Sequence, residues 1–148
     1  MKIISWNVNG IRAVERKGEL DVLIESEAPE ILMLQETKAS PDQLSKKLTE
    51  HPMYQQFYHS AEKKGYSGTS IWVSRSHSEA ATYTTGMTGF KDIEGRISRL
   101  DLGHFTYLGV YFPNGGKSAE AWKGKLVFYD KFLKYINNLK KAGRMIIW

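Results

Sequence analysis

The chain has 148 residues, enough for one ordinary domain with its own core, and it contains no cysteine, which excludes disulfides, thiolate metal sites and a cysteine nucleophile. Its 21 Lys and Arg against 16 Asp and Glu leave a net charge of +5, which favours a polyanionic partner. The apolar stretch Ile3-Ile4 is too short for a signal sequence or a membrane span, so the expectation is a soluble cytoplasmic protein, nucleoid-associated if bacterial, with no membrane partner.

The first strand is expected over Lys2 to Val8, with Asn9-Gly10 marking a sharp exit at its C-terminal end. A helix follows from about Ile11, is interrupted at Gly18, and resumes with Leu20, Leu23 and Ile24 on one face. Ala28-Pro29-Glu30 stops it. The continuous apolar run Ile31-Leu32-Met33-Leu34 reads as a strand covered on both faces, giving a βαβ-like start.

Ser40 as N-cap, Pro41 at the first helical position and Gln43 as the capping-box partner predict another helix, with Leu44 and Leu48 facing the core. Short β runs then follow at Gln56 to His59, Thr69 to Ser74, Ala80 to Tyr83, Ile97 to Leu102 and Phe105 to Phe112, the last two joined by a two-residue turn at Gly103-His104. A long helix is predicted from about Ser118 to Ala142, closed by Gly143, with Trp122, Leu126, Tyr129, Leu133, Ile136 and Leu139 as its apolar stripe. Arg144 to Trp148 reads as a strand with no turn or cap after it, so the expectation is a single domain over 1–148 that is truncated at its C-terminus.

Three constellations carry chemistry. If the first two strands are parallel neighbours, Asn7 and Glu36 emerge at one C-terminal sheet edge, where a carboxylate and an amide can hold a hard cation. Glu36 can equally be a solvated strand end. Tyr111 and Asn114, three residues apart in Tyr111-Phe112-Pro113-Asn114-Gly115-Gly116, can both donate to a phosphate oxygen, although Pro-Asn-Gly is also an ordinary turn. Lys63-Lys64-Gly65-Tyr66-Ser67-Gly68-Thr69 combines cations, an aromatic ring and glycines that allow close approach to a sugar-phosphate backbone; the plain alternative is a flexible basic loop.

Together, Ile4-Ser5-Trp6-Asn7-Val8-Asn9-Gly10-Ile11-Arg12-Ala13, Leu34-Gln35-Glu36-Thr37-Lys38, Gly65-Tyr66-Ser67-Gly68-Thr69, Glu94-Gly95-Arg96 and Tyr111-Phe112-Pro113-Asn114-Gly115 resemble the exonuclease III and apurinic/apyrimidinic endonuclease family, within the endonuclease/exonuclease/phosphatase superfamily. The stretches occur in family order over nearly the whole chain. The resemblance implies about one half of a four-layer α/β sandwich, with mixed, largely antiparallel sheets and flanking helices.

It further implies Glu36 as the metal carboxylate, with Asn7 beside it orienting a catalytic group and reaching the metal shell. Tyr111 and Asn114 would act at the scissile phosphate, Lys38 would support the carboxylate, and Arg12, Ala13, Lys17, Gly65 and Tyr66 would follow the DNA backbone. The cofactor would be Mg²⁺, with Mn²⁺ as the alternative. The partner would be double-stranded DNA with abasic or 3′-blocked sites, incised 5′ of the lesion or digested 3′ to 5′. The family's Gly-Asp-x-Asn segment, a later Asp and a C-terminal Asp-His pair do not occur in these 148 residues, and His51, His59, His77 and His104 lie outside the catalytic-histidine context. Weak or no activity alone is therefore expected, with the missing C-terminal half or a second chain completing the site. Two other readings stand beside this one: a non-catalytic DNA-binding or assembly half-domain, and a phosphatase acting on phospholipids or inositol phosphates.

Overall fold

In a computed structural model describing residues 1–148, the chain forms β1 (Ile3–Asn7), α1 (Ile11–Arg16), α2 (Glu19–Glu27), β2 (Ile31–Gln35), a 3₁₀ turn (Pro41–Gln43), α3 (Lys46–Thr49), β3 (Tyr54–His59), β4 (Thr69–Ser74), a second 3₁₀ turn (Arg75–His77), β5 (Thr82–Thr85), β6 (Ile97–Leu102), β7 (Phe105–Val110), α4 (Ala119–Lys141) and β8 (Met145–Ile147). Two four-stranded sheets result, ordered β1-β2-β4-β3 and β5-β6-β7-β8. The β1–β2 and β7–β8 pairs are parallel and the other pairs antiparallel.

Side-chain alternation explains the layering. On β2, Ile31 and Met33 point to one face and join Ile71 and Val73 of β4 against Leu100 and Tyr107 of the second sheet. Leu32 and Leu34 point the other way, with Trp72, onto Ile11 and Val14 of α1, Leu20 and Ile24 of α2, and Leu48 of α3. Beyond the second sheet, Ile97 and Leu108 meet Phe128, Phe132, Tyr135 and Leu139 of α4. All five residues of β2 are buried, as its unbroken apolar run requires. No helix is long and apolar enough to cross a membrane.

The chain therefore contains all four layers, helix, sheet, sheet and helix. Besides Phe105 on β7, Met145 on β8 and Trp148, which are exposed, open apolar surface lies on α4. There the predicted stripe is corrected. Trp122, Leu126, Tyr129 and Leu133 are 53, 48, 41 and 54% exposed, Ile136 is half-buried, and of the predicted set only Leu139 is buried. The helix carries two apolar stripes at the same three- and four-residue spacing, and the spacing cannot choose between them. The bulkier stripe, Phe128, Phe132 and Tyr135, goes inward, where aromatic burial is worth most.

The helix predicted from Ser40 is also two elements. The capping box forms, with Ser40 N–H donating to Gln43 Oε1 at 3.1 Å, but Leu44 is extended and Ser45 caps a fresh turn by accepting from Leu48 N–H at 3.3 Å. Leu48 is buried as expected, and Leu44 packs beside it. β5 lies two residues later than predicted, and β7 ends at Val110 rather than Phe112. The Gly103-His104 hairpin holds: Leu102 pairs with Phe105 and Gly103 takes φ of 55°.

Candidate active site

Parallel pairing of β1 and β2 sets Asn7 level with Gln35, so Asn7 and Glu36 leave the sheet at the same edge. The pairing continues past the strands: Val8 N–H donates to Gln35 O at 3.0 Å, Gly10 N–H to Glu36 O at 2.7 Å, and Ile11 N–H to Thr37 O at 3.0 Å. Lys38 N–H then reaches Ser67 O at 2.9 Å, Gly68 N–H reaches Glu94 O at 3.1 Å, and Tyr111 N–H reaches Arg96 O at 2.8 Å. A relay of main-chain bonds thus fastens five sequence-distant loops along one edge.

Several residues on this edge turn sharply. Asn9, Glu36, Lys38 and Ser67 have φ of 47°, 54°, 52° and 46°, a left-handed conformation unusual for residues with side chains. Gly95, with φ of 62°, lies where a Cβ would come within 2.3 Å of the His59 carbonyl oxygen, so only glycine permits the Glu94 loop to close on β3.

Glu36 is the centre of the polar cluster. Asn7 Nδ2 donates to its Oε1 at 2.8 Å, and Lys38 Nζ lies 3.0 Å from its Oε2. Asn7 Oδ1 accepts Asn9 N–H at 3.0 Å, and Lys38 also donates to Asn9 Oδ1. Partial burial works to raise the Glu36 carboxyl, but the donors of Asn7, Lys38 and Tyr111 outweigh it and hold the group below the usual carboxylate range. Tyr111 moves the other way: burial, then the neighbouring Glu36 carboxylate, push its phenol up to about 12. Glu36 is thus an anion and Tyr111 a neutral donor at neutral pH.

Glu36, Lys38, Gly65, Tyr66, Tyr111 and Asn114 line one cavity of about 670 Å³. Asn114 Oδ1 accepts Gly116 N–H at 2.9 Å, which leaves its Nδ2 free to donate. Its turn rests on α4, where a Cβ on Gly115 would meet the Trp122 ring at 2.8 Å. Asn7 reaches the cluster through Glu36. Arg12 and Ala13 on α1, with Lys17 just after it, do not line the cavity; Arg12 and Lys17 are exposed, and Lys17 lies 3.6 Å from Glu19. His59 Nδ1 lies 2.8 Å from Ile97 O, away from the Glu36 cluster, and His104 occupies its hairpin.

Sequence reasoning missed the contribution of Lys117, just before α4, and of Lys125 on it, both at the cavity wall, and the role of Arg96, whose motif was visible but whose guanidinium direction was not. No group of three or more His, Cys, Asp or Glu side chains is placed to hold a metal. The donor set nevertheless fits a hard cation bound through one carboxylate and otherwise through water and phosphate oxygens, because Glu36 is ionised, faces the cavity and already accepts the Lys38 ammonium.

The sequence profile of the Endonuclease/Exonuclease/phosphatase family matches residues 4–147. This chain belongs to that family. Among curated relatives, the exodeoxyribonuclease of Bacillus subtilis is 33% identical over 147 residues, covering 99% of this chain and 56% of that protein. The DNA-(apurinic or apyrimidinic site) endonuclease of Dictyostelium discoideum is 34% identical over 151 residues, covering 100% of this chain and 40% of that protein. The chain therefore spans about half the length of the curated relatives it matches. In fold it superimposes on the 3′-5′ exonuclease NExo of Neisseria meningitidis with a TM-score of 0.83 at 22% identity, over 99% of this chain and 55% of that one. In this endonuclease/exonuclease/phosphatase domain, then, the polar cluster stands at the edge where β1 and β2 both end.

Proposed function

We propose that the chain is the metal-carboxylate half of a DNA-repair phosphodiesterase of exonuclease III type, incising duplex DNA on the 5′ side of abasic sites and removing 3′ blocks or 3′ nucleotides. The observation that carries this reading is the convergence of Glu36, Lys38, Tyr66, Tyr111 and Asn114, from three separate loops, on one cavity. The names of the relatives, which act on DNA, support it.

Glu36 is the residue to hold Mg²⁺ or Mn²⁺, which when bound supplies positive charge to a phosphate oxygen. The chain's own groups do the rest of the positioning. Asn7 and Lys38 fix the carboxylate from either side. Asn114 Nδ2 and the Tyr111 hydroxyl are donors for the non-bridging phosphate oxygens, and Tyr111 keeps its proton throughout the neutral range. Gly65 and Tyr66 flank the strand, while Arg12, Ala13 and Lys17 extend the contact along it. Hydrolysis forms a bond from water oxygen to phosphorus and breaks the bond to the 3′ oxygen. We assign the activation of that water to residues outside these 148, from a C-terminal half or a second chain.

The test is cleavage of a labelled abasic duplex by the purified 148 residues, with and without Mg²⁺, beside identically purified Glu36→Ala. Salt-dependent duplex binding with cleavage no greater than that of Glu36→Ala is expected. A folded chain that binds neither Mn²⁺ nor duplex DNA at low salt would overturn the reading.

A further inference from the structure

Arg96 makes more directed contacts in this cavity than any residue of the constellations read from the sequence. It is 4% exposed. Its Nε–H donates to Glu94 Oε2 at 2.5 Å, Nη1–H to the Tyr111 carbonyl at 2.9 Å, and Nη2–H to the Tyr66 hydroxyl at 3.4 Å, while Cζ stands 4.8 Å from the centre of the Tyr111 ring. Its main chain is equally fixed, since its N–H donates to both Asp92 oxygens at 3.0 and 2.9 Å and its carbonyl accepts Tyr111 N–H at 2.8 Å. Asp92 is itself buried at the base of the Gly95 contact with β3.

We propose that Arg96 is a positioning residue that ties the Tyr66 loop to Tyr111, so that a phosphodiester strand resting on Tyr66 is held in register with the phenol at the reacting end of the cavity. The two tyrosines are 45 positions apart and share no hydrogen bond of their own; a single planar guanidinium spans them. Geometry makes arginine necessary. Only its flat fork presents donors in three directions while stacking on an aromatic ring, whereas a lysine ammonium at the same depth reaches one partner and stacks poorly. The same guanidinium pairs with Glu94 Oε2, so it also neutralises the second carboxylate that lines the cavity.

This proposal rests on the DNA reading above for its ligand, and the test separates the two. Affinity for a fluorescent duplex carrying an abasic analogue is measured without divalent cation for Tyr66→Phe, Tyr111→Phe and the double variant, each with Arg96 and with Arg96→Lys. With Arg96 present, the combined effect should differ from the product of the single effects by about threefold or more, and with Arg96→Lys that coupling should vanish. In parallel, ring ¹³C NMR of labelled tyrosine reads the free protein: Tyr66→Phe should shift the Tyr111 signal only when Arg96 is intact. Glu94→Gln, which loosens the same guanidinium from a more exposed position, replaces Arg96→Lys if the latter does not fold, and should weaken the coupling. Independent tyrosines in both measurements would overturn the proposal. Coupled ring signals with no effect of either tyrosine on DNA affinity would leave the positioning role standing and sink the DNA reading.

Discussion

The Lys38 ammonium lies 3.0 Å from Glu36 Oε2 and also donates to Asn9, so one cation bridges the two strand-exit loops that carry the carboxylate and its amide partners. Glu36 is the centre of this arrangement. Glu36→Gln keeps the shape and removes the charge, and it should reduce Mn²⁺ affinity by about tenfold or more, read by water-proton relaxation, because the other carboxylate lining the cavity, Glu94, is paired with Arg96. Unchanged Mn²⁺ binding would place the cation elsewhere.

The same pair sets the acid limb of stability. The Glu36 carboxyl is held below its unfolded value, so its contribution is present above the ordinary carboxylate range and is lost as pH falls through the lowered folded value. Urea titrations between pH 6 and pH 3 should show a shallower acid decline for Glu36→Gln than for the native chain.

Tyr111 gives the opposite limb. With the phenol raised to about 12 from an ordinary value of 10.0, its contribution is complete below about pH 10 and is lost as pH rises toward the folded value. Tyr111→Phe should remove that alkaline loss while leaving stability at pH 7 nearly unchanged. A native chain whose stability is flat from pH 9 to 11.5 contradicts the raised phenol.

Gly95 is the tightest point of the framework. Gly95→Ala should destabilise by about 2–4 kcal/mol, since the new methyl meets the His59 backbone and φ is left-handed. Gly68→Ala should cost less, because the atom it meets at 2.5 Å is the Thr37 hydroxyl, a side chain able to move. Denaturant midpoints rank the two, and a reversed order would contradict the packing described.

The two stripes of α4 make a paired prediction. Phe132→Ala should cost about 3–5 kcal/mol, as expected for a buried aromatic. Leu133→Ala, one position on and 54% exposed, should stay within about 0.5 kcal/mol. Equal losses at both positions would mean that the inward stripe has been misassigned.

These contrasts show what the sequence made legible. Ile31 to Leu34 announced a doubly covered strand because no polar residue interrupts it, and Asn7 and Glu36 announced a shared edge because each stands at the C-terminal end of an expected strand. Leu126 and Phe128 were not separable in the same way, since choosing between two apolar stripes depends on the shape of the surface offered by Ile97 and Leu108. The Ser40 capping box was a true local signal, yet Ser45 supplied a second start that the first could not outrank. Arg96 was visible as part of a motif, but its role depends on three partners from three loops, brought together only by the long-range bonds that join those loops. Charge along the chain likewise gave no sign that Lys117 and Lys125 would face Glu36 across a cavity.

The left-handed turns at Asn9, Glu36, Lys38 and Ser67 have a consequence for how such a protein changes under selection. At Glu36, Lys38 and Ser67 this conformation disfavours a side chain by about 1–2 kcal/mol, so glycine would be the more durable choice there, while Asn9 is of a type that adopts it more readily. Heat or denaturant applied as the sole selective pressure should therefore erode the polar edge first, leaving the sheets and α4 intact. A lineage that keeps Glu36 and Lys38 in these turns keeps them for what they touch, against the preference of its own backbone.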